Sequence, residues 1–463
     1  MINTLSEKIL ILVFIVVNIT LYYFSYDGAT LNEGADFFQY YSPALSFVEN
    51  GTFIINDEPF VFGTPLYSIF LAIPIFFLGI DNSSVAIVAM QCTLLYFTGF
   101  VSRYLLLQFS SKFGILLHAL IIFNPNSIIT AHLVQSETLF TFLLVCSVFV
   151  AFKIIDNFSL KNIILLGFLT GLAALTRPVA LYLLLSWPLI ILIAMLVRVK
   201  LKGNKLSCFD WRSYFIKSFF ILFVGGLVVS PWYVRNYIEF DKVFFTANSG
   251  VYLKDQYIQL KNKGSGQSSI EAQKEHKKIF MEYLDQESDP SFCLDDERHW
   301  SCNTNLTHAS LNAIFKEPMI VHIKGFIDSW STLFLSGGAS NIRNYLGIEG
   351  KNLVVNFQTK SFNGLESIIK LVQNMSFSYL FIFIFTTAFA VISRVIGIVG
   401  FFYLFKDRER TAYGLLLIET ISIFTAAYLY LGQSRFRVPL EPLLMLLTVV
   451  GILYIVKYVK VDE

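Results

Sequence analysis

Long apolar runs separated by short polar turns dominate the chain, and the lengths of those runs decide the class of fold. A membrane-crossing helix needs about 20 consecutive apolar residues. Ten runs approach that length: about 8–26, 84–106, 113–133, 138–155, 162–176, 178–198, 213–233, 377–405, 412–431 and 437–457. The run 162–176 is short and is cut from its neighbour by Arg177-Pro178. The run 377–405 is long and carries Arg394, so a tilt or a break is expected there. A further apolar block, 66–78, has only thirteen residues and contains Pro74.

Charge decides how that last block is counted, because Lys and Arg collect on the cytoplasmic side of spanning helices. Four basic groups stand between runs or at the end: Lys153 with Lys161, Arg198–Lys205, Lys406–Arg410, and Lys457 with Lys460. Ten spans with the N-terminus inside place all four inside, whereas counting 66–78 as a span places them all outside. The block 66–78 is therefore expected to be interfacial or re-entrant. The same parity puts residues 27–65 outside, together with the turn 132–137, Arg177, the polar stretch 235–376 and residues 432–437.

Three parts follow. Residues 1–236 form an N-terminal membrane module whose first outer loop, 27–65, carries the candidate chemistry. Residues 237–376 form a mostly helical extracytoplasmic region, and 377–463 the last membrane helices. Within the middle part QSSIEAQKEHKKIFMEYLDQ reads as an exposed helix, and LTHASLNAIFKEPMIVHIKGFIDSWSTLF as helix lying on the membrane surface. The expected class is an all-α integral membrane protein of about ten transmembrane helices, one re-entrant or interfacial segment and a mostly helical outer domain.

Composition agrees. Of the 463 residues 55% are hydrophobic and 15% charged, against about 25% charged in soluble proteins. A net charge of +2 says nothing about nucleic acid, but no basic tract or nucleic-acid motif appears, so membrane lipids and not nucleic acid are the expected partners. The many Phe and Tyr residues are expected mainly in helix packing and interfacial belts. No small-residue cleavage site follows the first apolar run, so it reads as a retained helix and not as a signal peptide. Of five cysteines only Cys293 and Cys302 share a polar stretch; if that stretch is extracytoplasmic they can form a disulfide, and otherwise they are two free thiols.

Candidate chemistry gathers at the outer mouths of the helices. Asp36 in GADFFQYY is flanked by Phe37, Phe38, Tyr40 and Tyr41, which would partly desolvate its carboxylate and suit it to taking a proton. Glu137 opens a helix on the same side, where with Ser136 it could simply form an N-terminal cap. Two carboxylates there could also bind an acceptor hydroxyl or a divalent ion. Arg177, Arg235, Arg435 and Arg437 all stand outside, against the orientation rule; they either snorkel to lipid phosphates or form a cationic pocket for a phosphate group. Tyr40, His132 and Asn236 are substrate-binding candidates on that side. No Ser–His–Asp order, Walker loop, HExxH or CxxC occurs, and no His pair has zinc-ligand spacing; a divalent metal is the only cofactor under consideration.

Taken in order, ADFFQYYSPALSFVENGTF, TPLYSIFLAIPIFFLG, SETLFTFLL, GFLTGLAALTRP, SPWYVRNYIEFDKVFFTANSG, KEPMIVHIKGFIDSWSTLF and SRFRVPLEPLL resemble the GT-C class of membrane glycosyltransferases. The likeness is to the bacterial branch related to protein O-mannosyltransferases and lipid A aminoarabinose transferases. It implies transfer of a sugar from a polyprenyl-phosphate carrier of undecaprenyl type, at the extracytoplasmic face of a bacterial inner membrane. The acceptor would be a lipid, a glycan such as lipopolysaccharide, or a protein. The family's first-loop base corresponds to Asp36, its next acid to Glu137, its Arg-Asn pair to Arg235 and Asn236, and its late arginine–proline motif to Arg435, Arg437 and Pro439. The chain departs from the family in having Phe37, not a second acid, after Asp36, and Gly63-Thr64 where some aminoarabinose transferases carry a lysine. Inversion at the anomeric carbon would use Asp36 as base and the arginines on the leaving phosphate. The rival reading is a transporter or flippase of lipid-linked sugars, which would place acids near the bilayer midplane, where Glu419 is the one candidate.

Overall fold

The structure is a computed structural model that describes residues 4–25, 36–55, 58–201, 209–284, 290–348, 376–406 and 410–459. Outside them lie parts of the expected first outer loop (26–35 and 56–57), of the basic loops (202–208 and 407–409) and of the polar stretch 235–376 (285–289 and 349–375), with the tail that holds Lys460.

The chain is an all-α integral membrane protein. Among the described residues seven helices are long and apolar enough to cross a membrane. They are α1 (Thr4–Tyr23), α4 (Ile80–Leu106), α7 (Glu137–Asp156), α9 (Val179–Leu201), α10 (Trp211–Phe240), α17 (Phe377–Lys406) and α19 (Glu441–Val459), the last entered through a 3-10 turn, Ser434–Leu440. Three shorter apolar helices accompany them: α3 (Pro65–Leu78), α8 (Leu160–Thr176) and α18 (Thr411–Ala427). At 1.5 Å per residue the 14 residues of α3 reach about 21 Å, short of a hydrocarbon core of about 30 Å. The only strands among the described residues pair Ile54–Ile55 with Glu58–Pro59 in a hairpin between Asn50 and Pro65.

The structure redraws three of the expected runs. The run 113–133 is not one helix but two, α5 (Gly114–Ile122) and α6 (Pro125–Thr130). Pro125 cannot donate to a continuing helix, and Asn124 caps the new one by accepting from the backbone N–H of Asn126 (3.0 Å) and Ser127 (3.2 Å). The run 377–405 does not break: Arg394 is paired inside the bundle with Glu441, so α17 runs unbroken for 30 residues. The run 412–431 stops as helix at Ala427, leaving residues 428–433 without regular structure.

Helices α17 and α19 cross with backbones in contact. A Cβ on Gly400 would meet the Leu447 carbonyl oxygen at 2.0 Å, and one on Gly451 the Ile396 oxygen at 2.1 Å. Helix α7 and the start of α19 are sheathed on all sides and form the centre of the bundle. Above it sits a helical cap of α11 (Ser249–Leu260), a π turn (Lys261–Ser265), α12 (Ser269–Leu284), α13 (Pro290–Asp295), α14 (Asn303–Lys316) and α15 (Met319–Leu335), followed by α16 (Ala339–Tyr345). The expected exposed helix is α12, which still buries Ala272, His276, Phe280 and Leu284 against its neighbours. Cys293 and Cys302 are joined as a disulfide, with Cα atoms 5.6 Å apart.

Candidate functional site

Five chain segments end at one place, and each delivers one polar side chain. Asp36 is the residue before helix α2 (Phe37–Asn50), yet its carboxylate does not cap that helix. It bonds instead to Nη2 of Arg435, in the 3-10 turn before α19. Glu137 opens α7, where the helix N-terminus favours an acid. Its Oε1 accepts from Arg435 Nε at 2.6 Å and from Arg177 Nη1 at 2.8 Å. Arg177 closes α8 in an extended conformation (φ −148°, ψ 129°), which the following Pro178 enforces by crowding the helical alternative. Tyr428, just past α18, accepts from Arg177 Nη2 at 3.3 Å and stacks on Phe436 at 4.7 Å.

Two carboxylates and two guanidiniums therefore form a quartet with no net charge. Exposure is graded across it: the Glu137 side chain is fully buried, those of Arg177 and Arg435 are 13% exposed, and that of Asp36 is 28% exposed. Asp36 is thus the member nearest to open space, and Arg435 bridges it to the floor. Glu137 Oε2 is buried without a hydrogen-bond partner among the described residues. Tyr40, one turn along α2, bonds Ser136 Oγ at 3.0 Å, and Ser136 also lies 3.4 Å from Arg177 Nη1. Burial, against the opposing pull of Arg177, pushes the Tyr40 phenol above its ordinary range, so Tyr40 serves as a neutral hydroxyl. Ser136 occupies the cap position of α7 but its side chain makes no cap bond, being engaged by Tyr40 and Arg177.

The turn before Glu137 is fixed from below. Gln91 of α4 donates to the carbonyls of Ala131 (3.1 Å) and Leu133 (3.0 Å) and accepts from the Tyr67 hydroxyl at 2.6 Å. Neither Gln91 nor Tyr428 stood out in the sequence, because a polar residue in an apolar run gives no sign of which backbone it will meet.

The remaining candidates lie elsewhere. Arg437, two residues from Arg435, points inward and is only 2% exposed. It donates to Glu441 at 2.5 Å and to the carbonyls of Leu333 and Ser336 (2.9 Å for the latter). Arg394 (2.7 Å) and Asn124 (3.0 Å) complete the shell of Glu441, so this second cluster ties the start of α6, the end of α15, α17 and α19 together and leaves Arg437 little to offer a phosphate. Arg235 lies near the end of α10, where it donates to the carbonyls of Phe60 (2.9 Å) and Phe53 (3.1 Å) and holds the hairpin between α2 and α3. Asn236 binds the carbonyls of Phe244 and Phe245, both at 3.1 Å. His132 is 1% exposed, bonded to Asn18 Oδ1 at 2.8 Å and to the Tyr345 hydroxyl at 3.0 Å, and closed to any substrate in this arrangement.

A divalent ion does not fit the two carboxylates as they stand. The Arg435 guanidinium bridges them, and no group of three or more His, Cys, Asp or Glu ligands gathers anywhere among the described residues.

No protein-family model matches the chain, and no curated protein matches it in sequence. Among solved structures it is similar to the archaeal oligosaccharyltransferase AglB of Archaeoglobus fulgidus, solved with an inhibitory peptide and a dolichol-phosphate. The TM-score is 0.52 at 12% identity, over 98% of this chain and 51% of that one, so the chain spans about half the length of that protein. It is also matched to ArnT of Cupriavidus metallidurans bound to undecaprenyl phosphate, with a TM-score of 0.40 at 13% identity over 97% of this chain and 78% of that one. The apo form of ArnT gives 0.35 at 13% identity over 95% and 77%. The likeness is one of fold: the chain shares the arrangement of membrane helices seen in that archaeal protein.

Proposed function

We propose that the chain is a glycosyltransferase that moves a sugar from a polyprenyl-phosphate donor to an envelope acceptor on the extracytoplasmic face of a bacterial inner membrane. The observation that carries this reading is the neutral quartet, with its most exposed member, Asp36, tied to Arg435. An arginine shared between two carboxylates is a preformed phosphate ligand, since a donor phosphate can take over guanidinium donors that Asp36 now occupies. Releasing Asp36 in that way leaves a free carboxylate at the open side of the site. The shared fold with a protein solved with dolichol-phosphate supports a lipid phosphate as the ligand.

In the step itself the acceptor hydroxyl passes its proton to Asp36 while its oxygen bonds to the anomeric carbon from the face opposite the phosphate. The bond from that carbon to the phosphate oxygen breaks, the electron pair leaves with the phosphate, and configuration inverts. Arg435 and Arg177 stabilise the charge that grows on the leaving group. Glu137 holds the two guanidiniums at the spacing the phosphate needs, and Tyr40 lines the approach to Asp36. Residues 1–236 and 377–463 supply this machinery, and 237–376 the outer cap. With the Arg435 guanidinium set between the two carboxylates, Asp36 is the one on the open side and suits the role of base.

The transporter reading rests on Glu419, part-way along α18, whose Oε2 is buried without a partner among the described residues. One experiment separates the two readings. Purified protein given a polyprenyl-phosphate sugar and envelope acceptor should release polyprenyl phosphate and extend the acceptor. Donor that is moved across vesicles but recovered intact identifies a transporter and overturns the transferase.

A further inference from the structure

Residues 428–433 connect α18, which ends at Ala427, to the turn that carries Arg435, and they have no regular structure of their own. The backbone of Ala427, Tyr430 and Gly432 is held by side chains of the cap. From α11, Tyr252 donates to the Ala427 carbonyl, Gln256 Nε2 donates to the same oxygen at 3.2 Å, and Gln256 Oε1 accepts from the Tyr430 N–H at 2.7 Å. From α15, Ser329 Oγ accepts from the Gly432 N–H at 2.6 Å, and His322 Nδ1 meets the Tyr430 hydroxyl at 2.6 Å. From the π turn, Lys263 Nζ reaches the carbonyls of Tyr430 (3.0 Å) and Gly432 (3.4 Å) and the hydroxyl of Ser329 (3.5 Å).

Lys263 stands out in this list because it has no carboxylate partner among the described salt bridges, unlike Lys261 beside it, which pairs with Glu275 (3.3 Å) and Glu317 (2.8 Å). A half-buried cation spent on backbone carbonyls is costly unless its three N–H donors are all used, and here three acceptors await them. The π turn presents it there: such turns insert a residue into a helix and are common at functional sites. The turn is pressed onto α15, where a Cβ on Gly264 would meet the Val321 carbonyl oxygen at 2.4 Å. The connecting segment is pressed onto α15 as well, where a Cβ on Gly432 would meet the Ser329 oxygen at 1.8 Å.

We propose that Lys263 is a positioning residue for Arg435: it locks the segment 427–433 to the cap, and so sets where the guanidinium stands for a phosphate group. The inference rests on the reading of Arg435 as a phosphate ligand. It assigns to the outer cap a part in donor binding that no residue of the quartet reveals. A titration follows from the geometry. Burial brings Lys263 down to about 8, against the opposing pull of Asp328. The charged and titratable groups around it are Asp328 and His322 on α15, Lys261 on the π turn, and Tyr430 on the held segment. Above that pH the amine keeps two N–H donors for three acceptors, and one hold on the segment is lost.

The test uses the full chain in nanodiscs, with undecaprenyl phosphate as the probe. Amide hydrogen exchange over 427–437 and affinity for the probe are measured for wild type, Lys263→Met, Lys263→Arg and Arg435→Ala. Lys263→Met should exchange faster over 427–437 with α19 unchanged, and should bind the probe about tenfold more weakly, the scale of a lost hydrogen bond from a charged group. Lys263→Arg should restore most of the affinity. Wild-type affinity should fall between pH 7 and about 9, centred near 8, while that of Lys263→Arg stays level; this arm needs no Met variant to fold. Unchanged exchange in Lys263→Met overturns the proposal, as does faster exchange with wild-type affinity or a level wild-type pH profile. If wild type binds no undecaprenyl phosphate, the transferase reading falls, and the exchange arm alone decides whether Lys263 holds the segment.

Discussion

Replacing Glu137 by Gln should make the protein less stable and its phosphate site tighter at the same time. Glu137 is fully buried and is the only acid that touches both guanidiniums of the quartet. Gln keeps the shape and one neutral acceptor but removes the charge. A unit pair with centres about 4 Å apart interacts by about 4 kcal/mol at an effective dielectric of 20. Two such pairs are lost, the desolvation of one carboxylate is recovered, and the amide still accepts a bond of about 1 kcal/mol. The balance is a destabilisation of about 3–5 kcal/mol, the usual cost of stripping one partner from a buried ion pair. The quartet then carries one net positive charge. A phosphate about 6 Å from the lost carboxylate escapes a repulsion of about 3 kcal/mol at the same dielectric. Thermal unfolding with and without undecaprenyl phosphate reads both quantities. Glu137→Gln should unfold at lower temperature when empty, gain more from the lipid than wild type does, and bind it at least tenfold more tightly. Wild-type stability would show that Glu137 does not hold the arginines. Stability and affinity falling together would show that the spacing Glu137 imposes on the arginines outweighs the repulsion its charge exerts on a phosphate.

Glu441→Gln should cost a similar 3–5 kcal/mol or so, since Arg394, Arg437 and Asn124 all depend on that 1%-exposed carboxylate, yet leave phosphate affinity per folded molecule as in wild type; a parallel loss of affinity would place the second cluster in the site. His276, 2% exposed and 2.9 Å from Ser310 Oγ, is brought down by burial to about 4. The unfolded chain takes up that proton near pH 6.5, so the cap has its full stability above 6.5 and loses about 3 kcal/mol as pH falls toward 4. Acid unfolding followed by exchange in α12 and α14 should flatten in His276→Gln, and an unchanged acid profile would clear His276 of that role. A single cysteine at Ser265 should react with an impermeant reagent applied to intact cells, and one at Asn204 should not; labelling at 204 would overturn the charge-parity topology.

Which parts of this were visible in the sequence follows from the range of the forces involved. Helices announce themselves locally, and nine of the ten expected runs contain one apolar helix. The tenth, 113–133, carries its break openly as Asn124-Pro125-Asn126-Ser127, a helix stop and a new cap between two apolar halves. Asp36, Glu137, Arg177 and Arg435 could each be singled out as a charge at a helix mouth, but not their union, which joins segments up to 399 residues apart. Arg435 and Arg437 illustrate the limit. They are two positions apart in one turn, and one faces the site while the other faces the buried Glu441. Arg235 looked like a phosphate ligand for the same reason as Arg177, yet it spends its donors on the carbonyls of Phe53 and Phe60. Backbone acceptors leave no trace in composition, and that is also why Lys263 passed unnoticed among the other lysines of the cap.

The most direct measurement of the central claim is turnover by Asp36→Asn with a polyprenyl-phosphate sugar as donor. Asn keeps the size of the side chain but cannot take the acceptor's proton at neutral pH. Loss of a general base slows a reaction by about 10²–10⁴. Folded Asp36→Asn protein should therefore bind the donor and release almost no polyprenyl phosphate, while Arg435→Ala should fail at donor binding. Release by Asp36→Asn within a factor of about three of wild type, with donor bound and the fold intact, would show that Asp36 is not the base.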